Sequence, residues 1–135
     1  MKELTVDAAP GSLQEIKAFI VDQTRAAGCP EAARTQILVA ADEVFANIAN
    51  YAYGGGVGSA SVRFDVEPEP RAAVITFTDG GVPFDPLEMK APDTSLSAGQ
   101  RKIGGLGIFM VRKLMDEVSY KYEGGRNVLT VKKLF

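Results

Sequence analysis

Residues 43–58 read Glu43-Val44-Phe45-Ala46-Asn47-Ile48-Ala49-Asn50-Tyr51-Ala52-Tyr53-Gly54-Gly55-Gly56-Val57-Gly58, and the architecture turns on this stretch. Up to Ala52, apolar side chains recur at helical spacing: Ile37, Leu38, Ala41, Phe45, Ile48 and Ala52 form one stripe of a helix opened by Pro30. The glycines at 54, 55, 56 and 58 end it. At roughly 100° per residue, Gln36, Glu43, Asn47 and Asn50 fall on a second narrow stripe, with Ala41, Phe45, Ile48 and Ala52 opposite. A polar stripe is ordinarily the wet face of an amphipathic helix. Asparagine, however, is a poor helix former, and Lys, Glu or Arg would serve solvation better. A carboxylate and a carboxamide one turn apart suit a magnesium–phosphate site. Asn47 offers a neutral oxygen to the metal, and Glu43 can accept a proton from an incoming hydroxyl or water.

Working outward, Leu4-Thr5-Val6 reads as a short edge strand before Pro10-Gly11. Ser12, with Glu15 three positions on, has the capping-box pattern. Leu13, Ile16, Phe19, Ile20 and Gln23 then keep helical spacing until Gly28. Beyond the glycines, Val62, Phe64 and Val66 alternate with Ser61, Arg63, Asp65 and Glu67, a half-exposed strand. A turn at Pro68–Pro70 leads to a more apolar strand over Ala72–Thr78. From Val82 to Gly104 no periodicity persists, and a loop of that length is more often a lid than a plain connection. A third helix is expected over Leu106–Met115, then strands over Val118–Tyr122 and Val128–Leu134 joined at Gly124-Gly125. Strands adjacent in hairpins with few, long helices predict an α+β fold: a two-layer α/β sandwich, its mixed, mainly antiparallel sheet carrying helices on one face. The whole of 1–135 is expected to form a single domain.

Composition narrows the function. The chain has 15 basic and 17 acidic residues, a net charge of -2, so no strong pull toward nucleic acid or an anionic membrane is built in. There is no histidine and only one cysteine, Cys29. A Ser-His-Asp hydrolase, a His-ligated zinc site and an internal disulfide are therefore excluded. No run approaches the ~20 apolar residues of a membrane span, and the amino terminus lacks a signal-peptide pattern. A cytoplasmic protein is expected.

Two further places carry chemistry. Asp79-Gly80-Gly81 lies where an apolar strand meets the long loop. Such an aspartate is commonly a turn residue, but here it is partly desolvated and wants a donor. An adenine amine would supply one, with Gly81 leaving room for the flat ring. Gly104-Gly105-Leu106-Gly107 precedes an apolar helix, and a glycine-rich helix start lets backbone N–H groups approach phosphates. A dinucleotide fingerprint would need glycine at 110, where Met110 stands, and a P-loop would need Gly-Lys-Ser/Thr. The pattern points to phosphate by another device, a flexible hinge being the alternative.

In order and spacing, Glu43-x-x-x-Asn47, Asp79-x-Gly81-x-Pro83-Phe84-Asp85 and Gly104-Gly105-Leu106-Gly107-Ile108 resemble the Bergerat ATP-binding superfamily of gyrase, heat-shock chaperone, histidine kinase and mismatch-repair ATPases. Within it, the run from Gly104 to Val118 is similar to the anti-sigma-factor serine/threonine kinases. The resemblance implies ATP and magnesium as cofactors, Asn47 as the magnesium ligand and Glu43 as catalytic base. It also implies Asp79 on the adenine amine with Gly81 beside the ring, and Gly105, Leu106 and Gly107 at the phosphates. Arg101 and Lys102 would reach the terminal phosphate. Such kinases phosphorylate a small anti-anti-sigma protein, hold a sigma factor inactive and act as homodimers. The alternative is a non-catalytic, nucleotide-dependent partner-binding module. A histidine kinase catalytic domain would need its acceptor histidine from another chain. Two positions depart from the pattern: Tyr51 stands where the family often has histidine, and Asn127 where some relatives place a threonine near the phosphate.

Overall fold

The computed structural model describes residues 2–54, 56–88 and 105–135. Five strands, β1 (Lys2–Asp7), β2 (Ser59–Pro68), β3 (Arg71–Asp79), β4 (Glu117–Glu123) and β5 (Arg126–Leu134), form one sheet in the order β1-β2-β3-β5-β4. Among the described residues there are three α-helices, α1 (Leu13–Ala26), α2 (Glu31–Asn47) and α3 (Gly105–Leu114). The α+β architecture is as expected. All four strand pairings are antiparallel, so the described sheet uses none of the parallel pairing that a mixed sheet would include.

Register sorts the sheet into two faces. One row runs Val62, Phe77, Leu129, Tyr120 and the next Phe64, Ile75, Val131, Val118. Most of these side chains are buried in a single core with Ile16 and Ile20 of α1, Ile37, Val44 and Phe45 of α2, and Val111 of α3. The opposite rows, Thr5-Ser61-Thr78-Val128 and Arg63-Thr76-Thr130-Ser119, carry mainly hydroxyls and charge on the open face. The β4–β5 turn places Gly124 and Gly125 at φ +61° and +76°, the pair of positive dihedrals a two-residue hairpin loop requires.

Two local expectations are revised. Ser12 precedes α1 without a side-chain capping bond, because its backbone is already helical at φ -82° and ψ -8°. A 3-10 turn over Pro10–Ser12 feeds the helix instead. A missing cap costs about 1 kcal/mol, less than burial of Ile16 and Ile20 contributes at about 2 kcal/mol each. The second revision concerns α2. Its buried residues include Ala33, Ala40, Val44 and Asn47 besides Ile37, Ala41 and Phe45, so the buried arc extends toward the polar stripe. Asn47 and Val44 are three residues apart, roughly 60° around the helix. The polar stripe therefore borders the core rather than standing opposite it. Beyond Asn47 the last turn widens into a π-helical segment, Ile48–Ala52.

Candidate functional site

Four polar side chains are buried among the described residues: Thr24, Asn47, Asp79 and Asn127. Thr24 belongs to the α1–α2 corner, where its hydroxyl donates to the Ile20 carbonyl at 2.7 Å. The other three line one cleft between α2 and the end of the sheet. Its walls are otherwise apolar. Val44, Ile48 and Ala52 come from the helix and its π turn, Phe77, Leu129 and Tyr120 from the sheet, and Phe84 and Pro86 from the loop after β3. An apolar cleft with a few convergent polar groups is the usual form of a small-molecule site.

Strand register builds the floor. Asp79 ends β3 and pairs directly with Asn127 of β5, so both side chains project from the same face at neighbouring positions. The Asn127 amide donates to Asp79 Oδ1 at 2.9 Å and to the Val82 carbonyl at 2.8 Å. Its oxygen accepts from the Phe84 N–H at 3.0 Å and from the Tyr120 hydroxyl. Only one orientation of the amide satisfies two acceptors on one side and two donors on the other. Burial raises the Tyr120 phenol above its ordinary value, with the charges of Asp85 and Asp79 adding to the effect. The phenol therefore remains a donor well beyond neutral pH.

The segment after Asp79 is held at every available amide. Gly80 N donates to the Tyr53 hydroxyl at 2.8 Å, and Gly81 N to Asp79 Oδ1 at 2.9 Å. Val82 N donates to the Ala52 carbonyl at 2.7 Å and Phe84 N to Asn127; residue 83 is proline. Tyr53 spans the gap because its ring lies where a side chain on Gly58 would be, 2.2 Å from that Cβ position. Its hydroxyl also donates to the Ser59 carbonyl. Gly81 has a local reason to be glycine, since a Cβ there would stand 2.0 Å from the Ala52 carbonyl oxygen. Close backbone approach is what the structure requires of it.

Among the expected site residues, Asn47 and Asp79 share the cleft, and each keeps an unused acceptor. The Asn47 carboxamide makes no hydrogen bond to any described residue, and none reaches Asp79 Oδ2. Glu43 is half-buried one turn before Asn47. Its Oε2 lies 2.2 Å from where a Cβ on Gly107 would be, so α3 packs on α2 at that point. Gly105 begins α3 and Gly107 sits within its first turn, one residue earlier than the expected helix start at Leu106. Arg101, Lys102 and Gly104 lie outside the described residues, as do all of residues 89–104. Tyr51 stacks on Phe84 with ring centroids 5.7 Å apart, bridging the π turn and the loop. Asn127 stands beside Asp79. Sequence reasoning gave it no such role, nor any to Tyr53 or Tyr120, because their contacts depend on register and on a turn that leave no local pattern.

The residues suit the groups that the sequence implies. A carboxamide oxygen that no described residue bonds fits a magnesium ion that takes most of its ligands from phosphate and water. A free carboxylate oxygen in an apolar slot fits an amine on a flat ring. Among the described residues no cluster of three acidic or cysteine side chains could cage a metal by itself. No described helix is long and apolar enough to cross a membrane.

Comparison with known proteins gives the family and the fold. Residues 6–133 match the family described as histidine kinase-like ATPase domain. Over 98 residues the chain is 28% identical to the serine/threonine-protein kinase BtrW of Bordetella bronchiseptica, covering 73% of this chain and 68% of BtrW. It is 29% identical over 98 residues to the serine-protein kinase RsbW of Bacillus cereus strain G9842, covering 70% of this chain and 60% of RsbW. The match thus spans about three fifths of RsbW. A chain of the SiaB-SiaC complex from Pseudomonas aeruginosa shares the fold, with a TM-score of 0.58 at 15% identity over 98% of this chain and 89% of that one.

Proposed function

The chain belongs to the histidine kinase-like ATPase domain family, and from that premise we propose that it is an ATP-dependent serine/threonine protein kinase of the anti-sigma type. One observation carries the reading: three buried polar side chains converge on an apolar cleft, and two of them keep acceptors that no described residue uses. Asp79 Oδ2 accepts the adenine amine, with Gly81 beside the ring. Asn47 holds magnesium through its carboxamide oxygen, and the bound ion supplies neutralising charge at the phosphates. The N–H groups at the start of α3, from Gly105, Leu106 and Gly107, face the same phosphates, and Arg101 and Lys102 reach the terminal one. Glu43 takes the proton from the partner's serine or threonine hydroxyl as its oxygen attacks the γ-phosphorus and ADP departs.

The naming of BtrW and RsbW as protein kinases supports a phosphoryl-transfer role. On the resemblance read from the sequence, the acceptor is a small anti-anti-sigma protein and the partner held in the other state is a sigma factor. The protein acts in the cytoplasm as a homodimer.

Two variants separate binding from transfer. Asp79→Asn should weaken ATP binding by roughly 10-fold or more, the value of a hydrogen bond to a charged group; unchanged affinity by calorimetry would remove the adenine contact. Glu43→Ala should keep ATP affinity and lose transfer of labelled phosphate to the partner. Transfer at the normal rate would exclude Glu43 as the base. Nucleotide binding by the wild type with no label transferred to any partner would leave a nucleotide-dependent binding module.

A further inference from the structure

We propose that Asn127 is a positioning residue that fixes which oxygen of Asp79 faces the cleft, and so makes the pocket choose a purine bearing an amine. The inference rests on the ATP reading above and extends it to a residue that touches Asp79 rather than the nucleotide.

Asp79 Oδ1 receives two donors, Gly81 N and Asn127 Nδ2, both at 2.9 Å. Both are neutral N–H groups aimed at one oxygen of a carboxylate that is only 6% exposed. A carboxyl held on one side by two hydrogen bonds cannot rotate without breaking both. Oδ2 is left as the acceptor presented to the ligand. It can receive an N–H, and it repels a carbonyl oxygen in the same place.

Asn127 is itself immobilised. Its two N–H groups go to Asp79 and the Val82 carbonyl, and its oxygen takes the Phe84 N–H and the Tyr120 hydroxyl. The amide has no donor left to offer a purine carbonyl. Turning it over would place its oxygen against Asp79 Oδ1 and the Val82 carbonyl, and an N–H group against the Phe84 N–H. The four bonds thus serve one end: beside Asp79 an amine is accepted, and Asn127 has no donor with which to accept its replacement.

The test uses the full chain with magnesium and two nucleotides, ATP and the triphosphate of purine riboside, which carries hydrogen in place of the amine. The readout is the ratio of their dissociation constants by calorimetry. A loosened or destabilised site weakens both nucleotides alike and leaves the ratio unmoved. Wild type should favour ATP by ~10-fold or more. Asn127→Thr keeps one hydroxyl donor for Asp79 and should retain a ratio of at least about 5. Asn127→Val has nearly the same shape without the donor, and its ratio should fall below about 3. Equal ratios for the two variants would overturn the proposal while leaving the ATP reading intact. Equal affinity of the wild type for both nucleotides would overturn the amine contact and the proposal with it, whereas binding of neither would overturn the ATP reading. Should the valine variant not fold, Asn127→Ser and Asn127→Ala make the same comparison, with the same result expected and the same one overturning it.

Discussion

Gly81 and Gly107 are both glycines against which another residue is packed, and the identity of that neighbour sets what an added methyl would do. At Gly81 a Cβ would meet the Ala52 carbonyl oxygen at 2.0 Å and its carbon at 2.4 Å. This is backbone, and its oxygen already accepts from Val82 N, so it cannot retreat without giving up that bond. Gly81→Ala should destabilise the fold by about 2–3 kcal/mol, the cost of overpacking a tight site, measured as a lower urea midpoint at unchanged slope. At Gly107 the Cβ would meet Glu43 Oε2 at 2.2 Å and Cδ at 3.1 Å, the free end of a rotatable side chain. Helix propensity favours alanine there by up to ~1 kcal/mol, which offsets the crowding. Gly107→Ala should therefore keep its stability within about 1 kcal/mol yet displace the Glu43 carboxylate. Phosphoryl transfer should fall at least ~10-fold, about 1.4 kcal/mol in the barrier. A normal rate in this variant would show that Glu43 acts from another position or not at all.

At the scale of elements, the turn after β3 is held from three sides: by the π turn through Ala52, by β5 through Asn127, and by Tyr53, which also ties it to the start of β2. Tyr53→Phe keeps the ring over Gly58 and deletes only the hydroxyl that joins Gly80 N to the Ser59 carbonyl. Both groups lie near solvent, so water replaces the lost partner and the cost should be about 1 kcal/mol. The local signature is sharper. Amide exchange at Gly80 should quicken in this variant, while Val82, held by Ala52, keeps its protection; equal acceleration at both would mean that the turn opens as a unit. Much of what surrounds this turn was legible in the sequence. Val62, Phe64 and Val66 alternate, so β2 shows its buried face by period alone, and Gly124-Gly125 marks its hairpin. Asn47 and Asp79 were also legible, being polar at the edge of apolar runs. Tyr53 and Asn127 were not. Asn127 matters because residue 127 pairs with residue 79, a register fixed by the whole sheet and by no local pattern. The true buried arc of α2 was missed for a related reason: Ala33, Ala40 and Val44 are inconspicuous until the elements packed on the helix are known.

At the scale of the molecule, covering one face of the sheet and leaving the other open divides the titratable groups between two environments, and this shapes the alkaline limit of stability. Cys29 is buried at the α1–α2 corner. Burial raises its thiol above the ordinary 9.0, while Arg34, Arg71 and Lys133 pull the other way. Burial likewise raises Tyr120 above the ordinary 10.0, helped by Asp85, Asp79 and Tyr122. On the open face, Lys132 is held above 10.5, chiefly by its hydrogen bond to Glu67 and further by Glu117. All three groups have folded pKa values above their unfolded ones, so each binds its proton more tightly in the native state. The stability each contributes is complete below the unfolded value and is lost as pH rises through the folded one. Stability should thus begin to fall above about pH 9 and steepen above about pH 10. Cys29 and Tyr120 should dominate the decline, since Lys132 is screened by solvent. Urea titrations at intervals from pH 7 to 11 read this directly. Cys29→Ala should remove the part of the decline that begins near 9, and Tyr120→Phe the part that begins near 10, whatever constant offset each variant adds. A wild-type profile that stays flat to pH 11 would mean that these groups titrate in the folded protein as they do in the unfolded chain. The Tyr120 hydroxyl would then lie open to water rather than closed against Asn127.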